Sequence, residues 1–82
     1  MRAEAFARRA VDIADRTDLE RTAPGESRLV LADVIWHAGR HDEALGIYRT
    51  VYAQRVKALP ARDPRTERVK LLLEERTSPS PK

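Results

Sequence analysis

Apolar residues recur at steps of three and four along most of this chain, the spacing of one helix face and not of a strand. Residues 3–16 carry Phe6, Ala10, Ile13 and Ala14, with Ala3, Ala7 and Val11 flanking. That spacing predicts a helix with an apolar stripe. Glu4–Arg8 and Asp12–Arg16 stand four apart in the favourable order on its polar side, each pair adding about 0.3–0.5 kcal/mol at an exposed site. Residues 17–23 break the pattern. Pro24 suits the first turn of a second helix, where its missing N–H has no partner in any case, and Glu26 complements the helix dipole there. This helix is predicted over 24–38. It holds Leu29, Val30, Leu31, Ala32, Val34, Ile35, Trp36 and Ala38. It is apolar on nearly all sides, so it is expected to be central, with neighbours on two faces. Gly39 fits the C′ position that closes a helix in a left-handed turn.

Residues 42–59 predict a third helix, with Asp42 and Glu43 in its first turn and Pro60 after its end. Its stripe is Ala44, Leu45, Tyr48, Val51, Tyr52, Val56 and Leu59. Asp63-Pro64 then gives an N-cap followed by proline at the first helical position. The fourth helix, over 64–76, turns Val69, Leu72 and Leu73 inward. Residues 77–82 form a polar tail spaced by prolines, Thr-Ser-Pro-Ser-Pro-Lys, expected to be disordered. The chain thus reads as all-α, an antiparallel array of about four helices in one domain over residues 1–76. Its expected core is Leu31, Ala32, Ile35, Ala44, Leu45, Tyr48, Val51 and Tyr52.

Composition narrows the function more than it names one. The 82 residues are 35% charged and 41% hydrophobic, with a net charge of +3 and a pI near 9.8. Sixteen cationic residues against thirteen acidic ones make a mixed surface and not a polycation. Arginine outnumbers lysine thirteen to three, a bias that fits a GC-rich bacterial genome before it fits phosphate recognition. The chain has no cysteine, which excludes disulfides, thiol chemistry and the common structural zinc sites. The start, Met1-Arg2-Ala3-Glu4-Ala5-Phe6, carries charges where a signal peptide needs an apolar run. No stretch is apolar enough to span a membrane, and a cytoplasmic location is the default expectation.

A weak internal repeat runs through the pattern. Pro24, Arg28, Leu29, Leu31 and Ala32 stand 40 residues before Pro64, Arg68, Val69, Leu71 and Leu72. Glu4-Ala5-Phe6 stands 39 residues before Glu43-Ala44-Leu45. Two helices per period of this size are typical of helical repeat arrays. Small residues at Ala32 and Ala44 allow two helix backbones to approach closely, Ile35 and Tyr48 fill the space beside them, and Gly39 permits the reversal.

The stretch from 25 to 66 resembles a tetratricopeptide repeat. With Gly25 as its first position, Leu31-Ala32, Ile35, Gly39, Ala44, Tyr48 and Val51 fall at the positions that define that family. Gly39-Arg40-His41-Asp42-Glu43-Ala44-Leu45 is similar to the family's turn between helices. The long third helix and the segment Leu59 to Thr66 resemble the longer repeats of kinesin-light-chain type found in actinobacterial multidomain regulators. Arg28 departs from the pattern, standing where a large apolar residue is usual, and His41 replaces the aromatic residue of the turn. The resemblance implies a right-handed helical array that acts as a non-catalytic protein-interaction module, binding a protein, a peptide or a helix, or pairing as a homodimer. It places Leu29, Asp33, Trp36 and His37 on the inner, partner-facing side. A tryptophan there fits a binding anchor, since tryptophan is enriched in interface hot spots; packing in the core is the competing role. Where relatives grip a peptide carboxylate with Lys and Asn, this chain has Leu29 and Asp33, so that clamp is missing. An array of about two repeats leaves faces uncovered, which fits a piece of a longer array or a small protein that dimerises.

Candidate chemistry is sparse. His37 and His41 stand four apart, but Gly39 separates them, and no helical metal-binding motif surrounds them. Pro24-Gly25-Glu26-Ser27 starts a helix and is not a phosphate loop. No cofactor motif and no catalytic residue emerge, so an enzyme is not expected. The alternative function is a small basic helical nucleic-acid binder. Its weakness is that Arg8, Arg9, Arg16, Arg21 and Arg28 are interleaved with acids, and no recognition-helix motif appears.

Overall fold

The computed structural model describes residues 2–17 and 24–77. It is all-α, with four helices and no strand among the described residues: α1 (Arg2–Asp15), α2 (Glu26–His37), α3 (His41–Ala58) and α4 (Pro64–Thr77). The expected disordered tail lies outside the described residues except for Thr77, which still belongs to α4. Each helix packs on its neighbour in sequence, and the α2–α3 contact is the most extensive. No helix of the described residues is long and apolar enough to cross a membrane.

The core lies along the α2–α3 seam. Ala32 and Ile35 of α2 meet Ala44, Tyr48 and Val51 of α3, all fully shielded from solvent. Leu29 and Leu31 extend this cluster, and Ala7 of α1 and Val69 of α4 close it from either side. Leu45 and Tyr52 pack on its edge, as do Leu72 and Leu73. The methyl groups of Ala32 and Ala44 keep the two helices close enough for Ile35 and Tyr48 to interlock. Burying each large side chain contributes about 1.5–3 kcal/mol.

The helix ends follow their capping residues. Gly39 adopts φ 89°, the left-handed C′ conformation. Its N–H donates to the Trp36 carbonyl at 3.0 Å, and the Arg40 N–H to the Ile35 carbonyl at 3.1 Å. These are the two bonds of a Schellman turn. Asp63 caps α4: its carboxylate accepts from the Arg65 N–H at 2.9 Å, with Pro64 at the first helical position.

Three expectations are corrected. First, α2 begins at Glu26 and not at Pro24. Pro24 and Gly25 form a turn, with Gly25 at φ 78° and its carbonyl accepting from the Leu29 N–H at 2.9 Å. A side chain at Gly25 would have to fit beside Val51, whose Cγ1 would lie 3.0 Å from the added carbon.

Second, the stripe of α1 faces the other way. Phe6 and Ile13 are exposed, Phe6 by 67%, and the helix packs through Ala7 and Val11 instead. Ion pairs at both ends set this rotation. Arg40, just before α3, and Arg8 each bond both Glu4 and Glu43, forming a four-membered ring of charges. At the other end Arg28 holds Asp15 with two bonds of 2.8 Å. The Glu4–Arg8 pair, read as a solvated face, borders the interface.

Third, α3 turns Arg55 inward, 1% exposed, and leaves Val56 53% exposed. Arg55 donates from Nε to the Pro24 carbonyl at 2.8 Å, from one terminal nitrogen to the Arg65 carbonyl at 3.0 Å, and from the other to Glu26 at 3.0 Å. It supplies the Pro24 carbonyl, which lies outside α2 and has no helical partner, and adds a second donor to the Arg65 carbonyl in the first turn of α4. Arg55→Met would fill the space but leave the Pro24 carbonyl without a donor and remove the bonds to the Arg65 carbonyl and Glu26. It should cost about 2–4 kcal/mol in urea unfolding, and Arg55→Lys should recover only part of that loss.

The Glu4 carboxyl is held at about 2 by hydrogen bonds first from Arg40 and then from Arg8. Asp63 is held at about 2 by the Arg65 side chain and then its backbone N–H. In the unfolded chain both groups regain ordinary values, 4.5 and 3.8. The unfolded state therefore binds more protons across this interval. The stability these groups supply is complete above about 4.5 and is lost as the pH falls toward about 2. The melting temperature should drop across that window, and Glu4→Gln should flatten the drop.

Candidate functional site

Among the described residues, one face of α2 is left partly uncovered. Val30, Asp33, Val34 and His37 fall on one helical face, with Val30 48% exposed, His37 exposed, and Asp33 and Val34 half-buried. A cleft lies on each side of this ridge. One, of about 400 Å³, runs against the start of α1 and is lined by Ala3, Val30, Asp33, Val34, His37 and Ala38. The other, of about 620 Å³, separates Asp33 from one face of α4, with Pro64, Glu67, Arg68, Leu71, Leu72, Glu75 and Arg76 along its wall. Asp33 borders both. Leu71 is 63% exposed there, so the α4 wall offers an apolar surface between charges.

Beneath the Asp33 edge sits a cluster of rings. Tyr48 is fully buried, and its hydroxyl donates to the Asp33 carboxylate. Burial first, then the hydrogen bond and the charge of Asp33, push the phenol pKa well above its ordinary value, while Arg76 pulls it down slightly. Tyr48 therefore stays a donor. Trp36 is half-buried and stacked on His41, with ring centroids 3.9 Å apart and planes 16° from parallel. The Arg76 guanidinium, near the end of α4, lies 4.7 Å from the Trp36 ring centre and 5.6 Å from that of Tyr48. Such contacts contribute about 0.5–1 kcal/mol at exposed sites and about 2 when desolvated. The Arg76 Nε is shut from solvent with no acceptor among the described residues.

These positions sort the residues singled out from the sequence. Asp33 and His37 stand on the open face. Leu29 does not: it is 3% exposed and belongs to the core, because its turn of α2 is covered by its neighbours. Trp36 divides between the two roles, its indole covered by His41 and Arg76 yet not fully enclosed. Leu31, Ala32, Ile35, Ala44, Tyr48 and Val51 build the seam, and Gly39 makes the turn. Val30 and Val34 share this face of α2, a placement the sequence concealed. Their spacing with His37 marks a face, but a helix apolar all round offers no way to tell which face is left open. Nothing in the local sequence singles out Arg76, because its partners lie on α2 and α3.

His41 is engaged in stacking. The described residues hold no group of three or more His, Cys, Asp or Glu placed to bind a metal ion. Tyr48→Phe removes the donor from Asp33 and should cost about 1–2 kcal/mol in urea unfolding. Phe6→Ala, which removes a larger but exposed ring, should stay within about 0.5 kcal/mol. The chain matches no protein family, no characterised protein and no solved structure.

Proposed function

We propose that this chain is a non-catalytic protein-interaction module of tetratricopeptide-repeat type, which receives a peptide or helix of a partner along the exposed face of α2. The observation that carries the reading is the ridge of Val30, Asp33, Val34 and His37 with an open cleft on either side. Apolar side chains next to a carboxylate and an imidazole suit an interface with an apolar centre and a polar rim. Half-buried Trp36, next to His37 in sequence, is the anchor. The reversal at Gly39 and the small contacts at Ala32 and Ala44 agree with the repeat resemblance.

The nucleic-acid reading draws less support. Arg8, Arg16, Arg28, Arg40, Arg55 and Arg65 are each bonded to a carboxylate within the chain. Six of the thirteen guanidinium groups that could neutralise phosphates are thereby already engaged.

Val30→Glu with His37→Glu should abolish capture of the cellular partner while the helical circular dichroism and melting temperature stay within a few degrees of the parent, since both side chains are exposed. Capture that is unchanged by this pair rules out the α2 face. Sedimentation of the parent chain tests self-association directly. A dimer broken by the same two substitutions identifies the partner as a second copy.

A further inference from the structure

We propose that Trp36, Tyr48 and Asp33 form a receptor for a guanidinium group presented by the partner, and that Arg76 occupies this receptor in the free chain. The inference rests on the α2 face being the binding surface and specifies the chemistry of what binds beside it.

Arg76 behaves as an internal stand-in for a ligand. Its guanidinium lies over two aromatic rings at once, 4.7 Å from Trp36 and 5.6 Å from Tyr48, within the range at which a cation is drawn to a ring face. His41, stacked at 3.9 Å, braces the indole in that orientation. The Asp33 carboxylate, tied to the Tyr48 hydroxyl, supplies negative charge at the mouth of the cleft. Two rings, a brace and a carboxylate are the parts of a cation cage.

The occupant is weakly held. Arg55 anchors through three hydrogen bonds and Arg40 bonds two carboxylates. Arg76 has an Nε–H buried without an acceptor among the described residues, and it forms no ion pair with Asp33 within 4.0 Å. Swinging out would return that N–H to water, at the cost of the ring contacts alone. Arg76 is one residue before the end of α4, so its side chain can leave without disturbing Val69 or the seam.

A partner's arginine gains what Arg76 lacks. It can enter along the cleft between Asp33 and α4, lie on the same ring faces and reach the Asp33 carboxylate. The cleft wall holds three carboxylates, Asp33, Glu67 and Glu75, against Arg68 and Arg76. With Arg76 displaced the balance is three to one, which favours a cationic visitor. Exposed Leu71 beside it suits an apolar neighbour of that arginine. The ligand class is therefore an arginine-bearing segment with adjacent apolar residues.

Trp36 is the sole tryptophan, so its fluorescence reports the cage directly. The probe is a short synthetic peptide, acetyl-Ala-Leu-Arg-Ala-Leu-amide, compared with the same peptide carrying citrulline, which keeps the shape and removes the charge. The arginine peptide should perturb Trp36 and the citrulline peptide should not. Arg76→Ala, checked for an unchanged melting curve, should bind the arginine peptide about tenfold more tightly, because the internal competitor is gone. Arg76→Lys should restore most of the competition, and Asp33→Asn in the Arg76→Ala chain should reverse the gain. Equal responses to arginine and citrulline, equal affinities of the parent and Arg76→Ala chains, or no response from either chain overturns the proposal. Those results leave the α2 face standing if Val30→Glu with His37→Glu still abolishes partner capture. If that pair leaves capture unchanged, the underlying reading fails first.

Discussion

The guanidinium of Arg55 is the constraint on which the rest of the array depends. Three helices meet where it is buried, and the turn that enters α2 leaves the Pro24 carbonyl there without a helical partner. Helix α2 enters through the Pro24–Gly25 turn, whose geometry leaves the Pro24 carbonyl pointing inward, and α4 begins close to the Arg65 carbonyl. A buried carbonyl without a donor costs about 1–3 kcal/mol. Arg55 serves both carbonyls from fixed directions and bonds Glu26 with its remaining edge. Glu26 is about half exposed, so the charge of Arg55 is compensated without burying a complete ion pair. A lysine could not span these acceptors, since its ammonium is a compact point charge. The two crossings from α2 to α3 and from α3 to α4 are thereby locked by one side chain.

Charge plays a similar part where the hydrophobic seam ends. Helix α1 brings little apolar bulk to the core: Ala7 is buried and Val11 sits at the edge. Surface ion pairs ordinarily contribute about 0–1 kcal/mol each, and a single one could not choose the helix rotation. Here Glu4, Arg8, Arg40 and Glu43 close a ring at one end of α1, and Arg28 grips Asp15 at the other. Charges at both ends act together against one alternative, in which Phe6 and Ile13 turn inward. Phe6 gives up its burial, and small residues bring α1 close to α2.

The legible and illegible parts of this fold separate along physical lines. Gly39, Asp63-Pro64 and the three-and-four spacing act locally, so the helices lie within two residues of the spans they predict. The seam at Ala32, Ile35, Ala44, Tyr48 and Val51 was legible because small and large residues alternate at facing positions. Rotation was not legible. The spacing of Phe6, Ala10 and Ile13 defines a stripe but carries no information on what it faces, and the ion pairs that decide it join distant segments. Arg55 was invisible for a related reason: a charged residue beside Val56 reads as the solvated side until the carbonyls it serves are located. The open face of α2 was only half legible. Asp33 and His37 stand on it, while Leu29 belongs to the core and Val30 and Val34 take its place.

One turn ties the scaffold to the candidate site. The bonds that place Gly39 in the left-handed region run to the carbonyls of Trp36 and Ile35. The same reversal sets His41 parallel to the Trp36 indole and sends Arg40 toward Glu4. A side chain with a β-carbon at position 39 meets no neighbour, yet it carries a conformational cost of about 1–2 kcal/mol in this region. Relief of that cost would come from opening the turn, which would part His41 from Trp36 and loosen the ring of charges on α1 together. The position is therefore demanding because of backbone geometry and not because of space. It joins the stacking that orders the α2 face to the ion pairs that orient the first helix.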